Sequence, residues 1–95
     1  MPDRRVVDLV VELKASPEPL VRSIVAGVLA WVEGPEPDRA RRELLGMLAD
    51  RAPSVRIAAA SSAWVRAGDA ALPRLLEALR QESDVGAAYA MIDAV

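Results

Sequence analysis

Ninety-five residues with a formal net charge of −2 and a sequence pI near 5.1 are enough for one small domain, and give no electrostatic reason to expect nucleic acid as a partner. The chain has neither cysteine nor histidine, which excludes disulfides, thiolate nucleophiles, zinc sites built on those ligands, and the Ser-His-Asp and Cys-His arrangements. A make-up that is 53% apolar yet only 3% aromatic, rich in Ala, Leu, Arg and Glu, argues for helices throughout.

From the N-terminus, Met-Pro-Asp-Arg-Arg runs straight into Val6-Val7-Asp8-Leu9, too short and too charged for a secretory leader. No apolar run approaches the ~18 residues of a spanning helix, so no membrane is expected and the expected location is cytoplasmic. The first amphipathic segment, near 3–14, sets Val6, Val10 and Leu13, with Val7 and Leu9, on one stripe behind Asp3 as N-cap. Ser16 is then placed to cap the second helix, with Pro17 at N1 and Pro19 in the first turn. Its stripe of Val21, Ile24, Val25, Val28, Leu29 and Val32 runs to Gly34, a C′ residue followed by Pro35.

The third segment starts at Pro37 or Asp38 and buries Ala40, Leu44, Met47 and Leu48, leaving Arg39, Arg42 and Glu43 in water, and Asp50 ends it. The fourth begins at Pro53, carries Val55, Ala58, Ala59, Ser62 and Ala63 at core spacing, and stops at Gly68. The fifth, from Asp69 or Ala70, has Leu72, Leu75, Leu76 and Leu79 as its stripe, with Pro73 tolerated in the first turn. Ser83 or Asp84 caps the last helix. Short connections between helices of this length make sequential neighbours antiparallel. The expectation is an all-α single domain over 1–95, with six helices in three hairpins at about 3–33, 37–67 and 70–95.

Two strings match at an offset of 34: Ser-Pro-Glu-Pro-Leu-Val-Arg at 16–22 and Asp-Arg-Ala-Pro-Ser-Val-Arg at 50–56. Self-similarity at this period marks a stacked repeat array. In each string the acid or serine stands where it can accept from free N–H groups at the next helix start, the proline sets the helix entry and the valine drops into the core. Asp50, Pro53, Val55 and Arg56, with Ser16, Pro19, Val21 and Arg22, resemble the turn and second-helix start of HEAT repeats, particularly the short bacterial kind also found in phycobilisome lyases. Leu44-Leu45-Gly46-Met47-Leu48 and Leu75-Leu76-Glu77-Ala78-Leu79 resemble that family's first-helix stripe. The resemblance implies a right-handed α-α superhelix, an α-solenoid, in which Asp50, Arg22 and Arg56 form a structural ladder. In the third hairpin, aligning Val85 with Val55 puts Gly86 at the arginine position and Arg80 at the aspartate position, so no ladder side chain is expected there.

Other chemistry is thin. Gly27, Gly34, Gly46, Gly68 and Gly86 are scattered and make no phosphate-cradling loop. Glu33 with Glu36, and Glu82 with Asp84, sit at helix ends, where acids cap or are solvated. Arg39, Arg41 and Arg42 read either as a small anion-binding patch or, the favoured reading, as a solvated helix face with Arg39 paired to Glu43 at i, i+4. No catalytic residue, metal or cofactor is expected.

Binding surfaces are the remaining subject. Trp31 and Trp64 both stand in Ala-Trp-Val near the ends of equivalent helices. Each is either a core wedge, which the aromatic-poor composition favours, or an exposed anchor. By the HEAT resemblance the second helices line a concave side gathering Ser23, Gly27, Ile57, Ala60 and Ser61 between rims at Arg22 and Arg66, a smooth groove for a helix or extended peptide. Residues 85–95 are apolar all round except Asp93, so Tyr89, Met91, Ile92 or Val95 is expected to be exposed and to support self-association. The function expected is a non-enzymatic module for protein–protein interaction: scaffold, adaptor or homodimer through the C-terminal helix. The alternatives are a chromophore accessory role like that of HEAT-like phycobilin lyases and, less favoured, nucleic-acid binding.

Overall fold

Proline and glycine set most of the helix boundaries. The structure, a computed structural model, describes residues 4–31 and 37–94, with side chains for 8–31 and 38–93. Asp3, Val32, Glu33, Gly34, Pro35, Glu36 and Val95, and the side chains of Val6 and Val7, lie outside the described residues. The helices are α1 (Arg4–Leu13), α2 (Pro19–Trp31), α3 (Pro37–Gly46), α4 (Pro53–Ala67), α5 (Leu72–Gln81) and α6 (Val85–Ala94), with 3-10 turns at Met47–Ala49 and Gly68–Ala71. The described residues are all-helical, without a strand.

Helix α2 starts two residues later than the Ser16 cap suggests. Glu18 precedes Pro19, and a residue before proline is driven out of the helical region, so the first i, i+4 bond is Arg22 N–H to the Glu18 carbonyl. Ser16 Oγ instead accepts from the Glu18 N–H at 3.2 Å, closing the turn. Ala52 is likewise extended (φ −97°, ψ 127°) before Pro53, which opens α4. Helix α4 ends on Gly68 at φ +55°, whose N–H bonds the Trp64 carbonyl. Without a Cβ the glycine takes this left-handed turn at no steric cost. The expected start of the fifth helix at Asp69 or Ala70 is the 3-10 turn, and α5 proper begins at Leu72. Of the two caps expected for α6, Asp84 is the one used: its Oδ2 accepts from the Ala87 N–H at 2.8 Å.

Helix α4 is the centre of the molecule. It packs against α2 on one side and α6 on the other, and receives α3 and both 3-10 turns. The contacts among α2, α4 and α6 are made largely by small side chains, including the buried Ala26, Ala30, Ala59, Ala60, Ala63 and Ala87, which let helix axes come close. Leu44, Met47, Leu48 and Leu75 fill the space on the α3 and α5 side. The principal extents of 37 × 30 × 15 Å fit two helix layers: one interaxial spacing of about 10 Å plus a Cα radius of ~2.3 Å on either side is close to the shortest dimension. Two ion pairs tie α1 and its following turn to α3, Asp8 to Arg39 and Lys14 to Glu43, so the charged residues of α3 reach beyond their own helix. Among the described residues no helix is long and apolar enough to cross a membrane.

Candidate functional site

The repeated strings build one arrangement twice. Arg22 is 2% exposed, and its guanidinium spans the turn before α4: Nε donates to Asp50 Oδ2 at 2.9 Å and Nη2 to Asp50 Oδ1 at 3.0 Å. Its Nη1 donates backward to the Ser16 carbonyl at 2.8 Å. Arg56 repeats all three bonds one unit on, with Nε to Glu82 Oε2 at 2.6 Å, Nη2 to Glu82 Oε1 at 2.8 Å and Nη1 to the Asp50 carbonyl at 2.8 Å. The fork of each guanidinium matches the two oxygens of a carboxylate, which makes these the strongest class of side-chain hydrogen bond in a protein.

The acids are held as firmly as the arginines. Asp50 Oδ1 also accepts the Ala52 N–H at 2.9 Å, and Glu82 Oε1 accepts the Asp84 N–H at 3.0 Å, the same i, i+2 bond that Ser16 makes to Glu18. Burial opposes ionisation of Asp50, but the bonds from Arg22 and Ala52 outweigh it and hold the carboxyl below its ordinary value. Glu82 is lowered first by the bond from Arg56, against burial, with the Asp84 N–H adding to the effect. Arg56 is raised in turn by its bond to Glu82.

Ser16, Asp50 and Glu82 are therefore equivalent positions, which corrects the expected register of the third unit. From Asp50 to Glu82 the offset is 32, two residues short of the first interval. Ala87, not Val85, then matches Val55, and both are fully buried, whereas Val85 is 70% exposed. The acid position of the third segment is therefore filled, by Glu82 rather than Arg80. The extra methylene of glutamate does not prevent the same bidentate grip, and the missing arginine falls at Ala88 rather than Gly86. The signal was present as Glu82-Ser83-Asp84, an acid two residues before the cap of the next helix.

A crevice of about 380 Å³ lies beside the second clamp, walled by Leu45, Leu48 and Ala78 and edged by Arg51, Arg74 and Gln81. Its floor includes Asp50, Arg56 and Glu82. Asp50 is bound by Arg22, and Arg56 and Glu82 are bound to each other, so the floor offers no free cation.

The expected interaction residues do not form one surface. Ile57 is half-buried and Ser61 exposed, one turn apart on α4. Ala60, expected beside them in the groove, is fully buried against the core, and Arg22 is no rim residue because the clamp consumes it. Arg66 is half-buried. Trp64 is half-buried and packs on the core, but Trp31 is 74% exposed, against the preference for core packing. On α6, Tyr89 and Ile92 are exposed as expected, with a shallow hollow of about 180 Å³ beside them. Met91 is not: it is 1% exposed, because it takes the position equivalent to Ala59 and points into the core.

The feature that sequence reading missed is the outer side of α2. Leu20, Ile24, Val28 and Trp31 are all exposed at i, i+4, i+8 and i+11, one continuous apolar stripe. The sequence stripe of α2 merges Ile24 and Val28 with Val25 and Leu29 because the helix is apolar on two sides. The side that packs on α4 uses Val25, Ala26, Leu29 and Ala30 instead. Of the Arg39, Arg41 and Arg42 cluster, Arg39 bonds Asp8 and Arg41 bonds Asp38 at 2.9 Å, so the three do not converge on an anion site. Among the described residues no group of acids is placed to hold a metal ion.

No family model matches the chain, and no curated protein or solved structure matches it either.

Proposed function

We propose that this chain is a non-enzymatic HEAT-like repeat module, a right-handed α-solenoid of three helical hairpins that works through protein–protein interaction as a scaffold, adaptor or self-associating unit. The observation that carries the reading is the arginine clamp made twice with the same six-residue spacing, Ser16 carbonyl to Arg22 and Asp50 carbonyl to Arg56. A bond set repeated in register links successive units and stiffens them, and stacked arrays of this kind act through their extended faces. The side-by-side order of α2, α4 and α6 supports the same reading. So does the supply of uncommitted surface: the stripe on α2, Val85, Tyr89 and Ile92 on α6, and the half-open strip at Ile57 and Ser61.

The test is affinity capture with the full chain, repeated with Ile57→Asp and Ser61→Arg. Neither side chain makes a clamp bond, Ser61 is exposed and Ile57 is only half-buried, so the variants should fold. A protein retained by the wild type and lost with either substitution supports a partner on the α4 strip. Retention unchanged by both substitutions removes that strip from the reading. Absence of any captured protein, together with a monomeric mass, removes the module itself.

A further inference from the structure

We infer that the stripe Leu20, Ile24, Val28 and Trp31 on α2 is covered in solution by the same stripe of a second copy, in an antiparallel two-fold contact. This rests on the reading of the chain as an interaction module and supplies one partner for it. The first argument is area. Side chains of this size, each more than a third exposed, present apolar surface on the order of 500 Å², the upper part of what a monomer carries, and well over half of the ~800 Å² that each partner contributes to a stable complex.

The second argument is charge. The only charged residue in α2 is Arg22, and it is buried in its clamp. The Ser23 hydroxyl donates to the Pro19 carbonyl at 3.0 Å, which leaves the Trp31 indole N–H as the other polar side-chain group of the helix. Within α2, then, no exposed charge is offered to a charged partner. A two-fold contact sets like beside like, and a charge-free face is one that can meet itself without repulsion. In the antiparallel arrangement Ile24 lies across from Val28 of the other copy, and Leu20 near its Trp31, so large and smaller side chains alternate over the axis. The exposed side of α6 lacks these properties. Its apolar residues are fewer, and the exposed Asp93, beside Ile92, would be brought toward its own copy.

Sedimentation equilibrium of the full chain from micromolar to millimolar concentration tests this, with Ile24→Glu and Ile92→Glu beside the wild type. The expected result is a dimer mass for the wild type and for Ile92→Glu, and association weakened by roughly 30-fold or more for Ile24→Glu, the size of a central hot spot. A wild type that stays monomeric overturns the proposal. So does an Ile24→Glu variant that dimerises as before, a dimer lost only in Ile92→Glu, or a mass that grows past the dimer. Should Ile24→Glu lose helix by circular dichroism, Trp64→Phe decides, because Trp31 is then the sole indole. Its emission should move to the blue as concentration rises, and an emission that stays fixed overturns the proposal. Capture through Ile57 and Ser61 does not involve α2, so a monomeric wild type that still captures a protein would sink the second copy while leaving the module standing.

Discussion

Helices α2 and α4 start from the same string and end with opposite surfaces. Each carries its clamp arginine at the same place, and each buries a matching set of positions: Val25 and Leu29 in one, Ala59 and Ala63 in the other. One side of each differs. Where α2 has Ile24 and Val28, both exposed, α4 has the half-buried Ala58 and the buried Ser62. The reason is what stands next to them. In α4 that side belongs to a helix flanked by two others, and small residues permit close approach. In α2 it is open, and bulk is sterically free there. The repeat fixes the clamp and leaves the faces to be set by neighbours.

The largest effect should come from breaking what the two helices share. Arg22→Ala leaves Asp50 facing an empty site, and loss of one partner of a buried pair typically costs about 3–5 kcal/mol, a large part of a small domain's stability. Arg56→Ala should cost a comparable amount, since its carboxylate is buried too. Urea unfolding of the two variants checks this, and a loss below about 1 kcal/mol in both would mean that the clamps do not hold the stack.

Acid should reach the same clamps more gently. Asp50 and Glu82 are both held below their ordinary values of 3.8 and 4.5. The stabilisation is therefore complete above those values and is lost as pH falls through the lower values of the folded state. Melting temperature should be flat from neutral pH to about 5 and fall steeply below 4, and Glu82→Gln should lose part of that dependence.

Exchanging the differing side chains attacks the contrast itself. Ala58→Ile and Ser62→Val put the bulk of α2 into the packed side of α4, and such overpacking should cost about 1–3 kcal/mol. The reverse changes, Ile24→Ala and Val28→Ser, touch an open face and should alter the stability of an isolated subunit by no more than ~0.5 kcal/mol. Equal effects in the two helices, read by thermal unfolding at low concentration, would erase the distinction. Smallest of all, Gly27→Ala should stabilise by about 0.5–1 kcal/mol, because a Cβ at this mid-helix position meets nothing within 4 Å.

The helices themselves were legible from sequence because proline and glycine punctuate them. Gly68, Pro53 and the Asp84 cap stand where the pattern put them, and the repeated strings mark where Arg22 and Arg56 each grip a carboxylate. Glu82 was hidden by a two-residue contraction and by the change from aspartate to glutamate, which defeat matching of letters but not of geometry. Met91 could not be sided, since α6 has no polar stripe to mark an outside. Trp31 and Trp64 show the limit most clearly. Both lie in Ala-Trp-Val, yet one packs on the core and the other is exposed, because burial depends on a neighbouring helix that the local string does not encode.

Asp50 has a consequence beyond its own bonds. Its carboxylate receives Arg22, and its carbonyl receives Arg56. One residue thus serves as the hinge pin of both junctions, and displacing it by opening one clamp withdraws an acceptor from the other. Two arginines 34 positions apart become energetically coupled through a single backbone unit. In a double-mutant cycle Arg22→Ala and Arg56→Ala should be non-additive. The molecule should melt as one cooperative body rather than in parts.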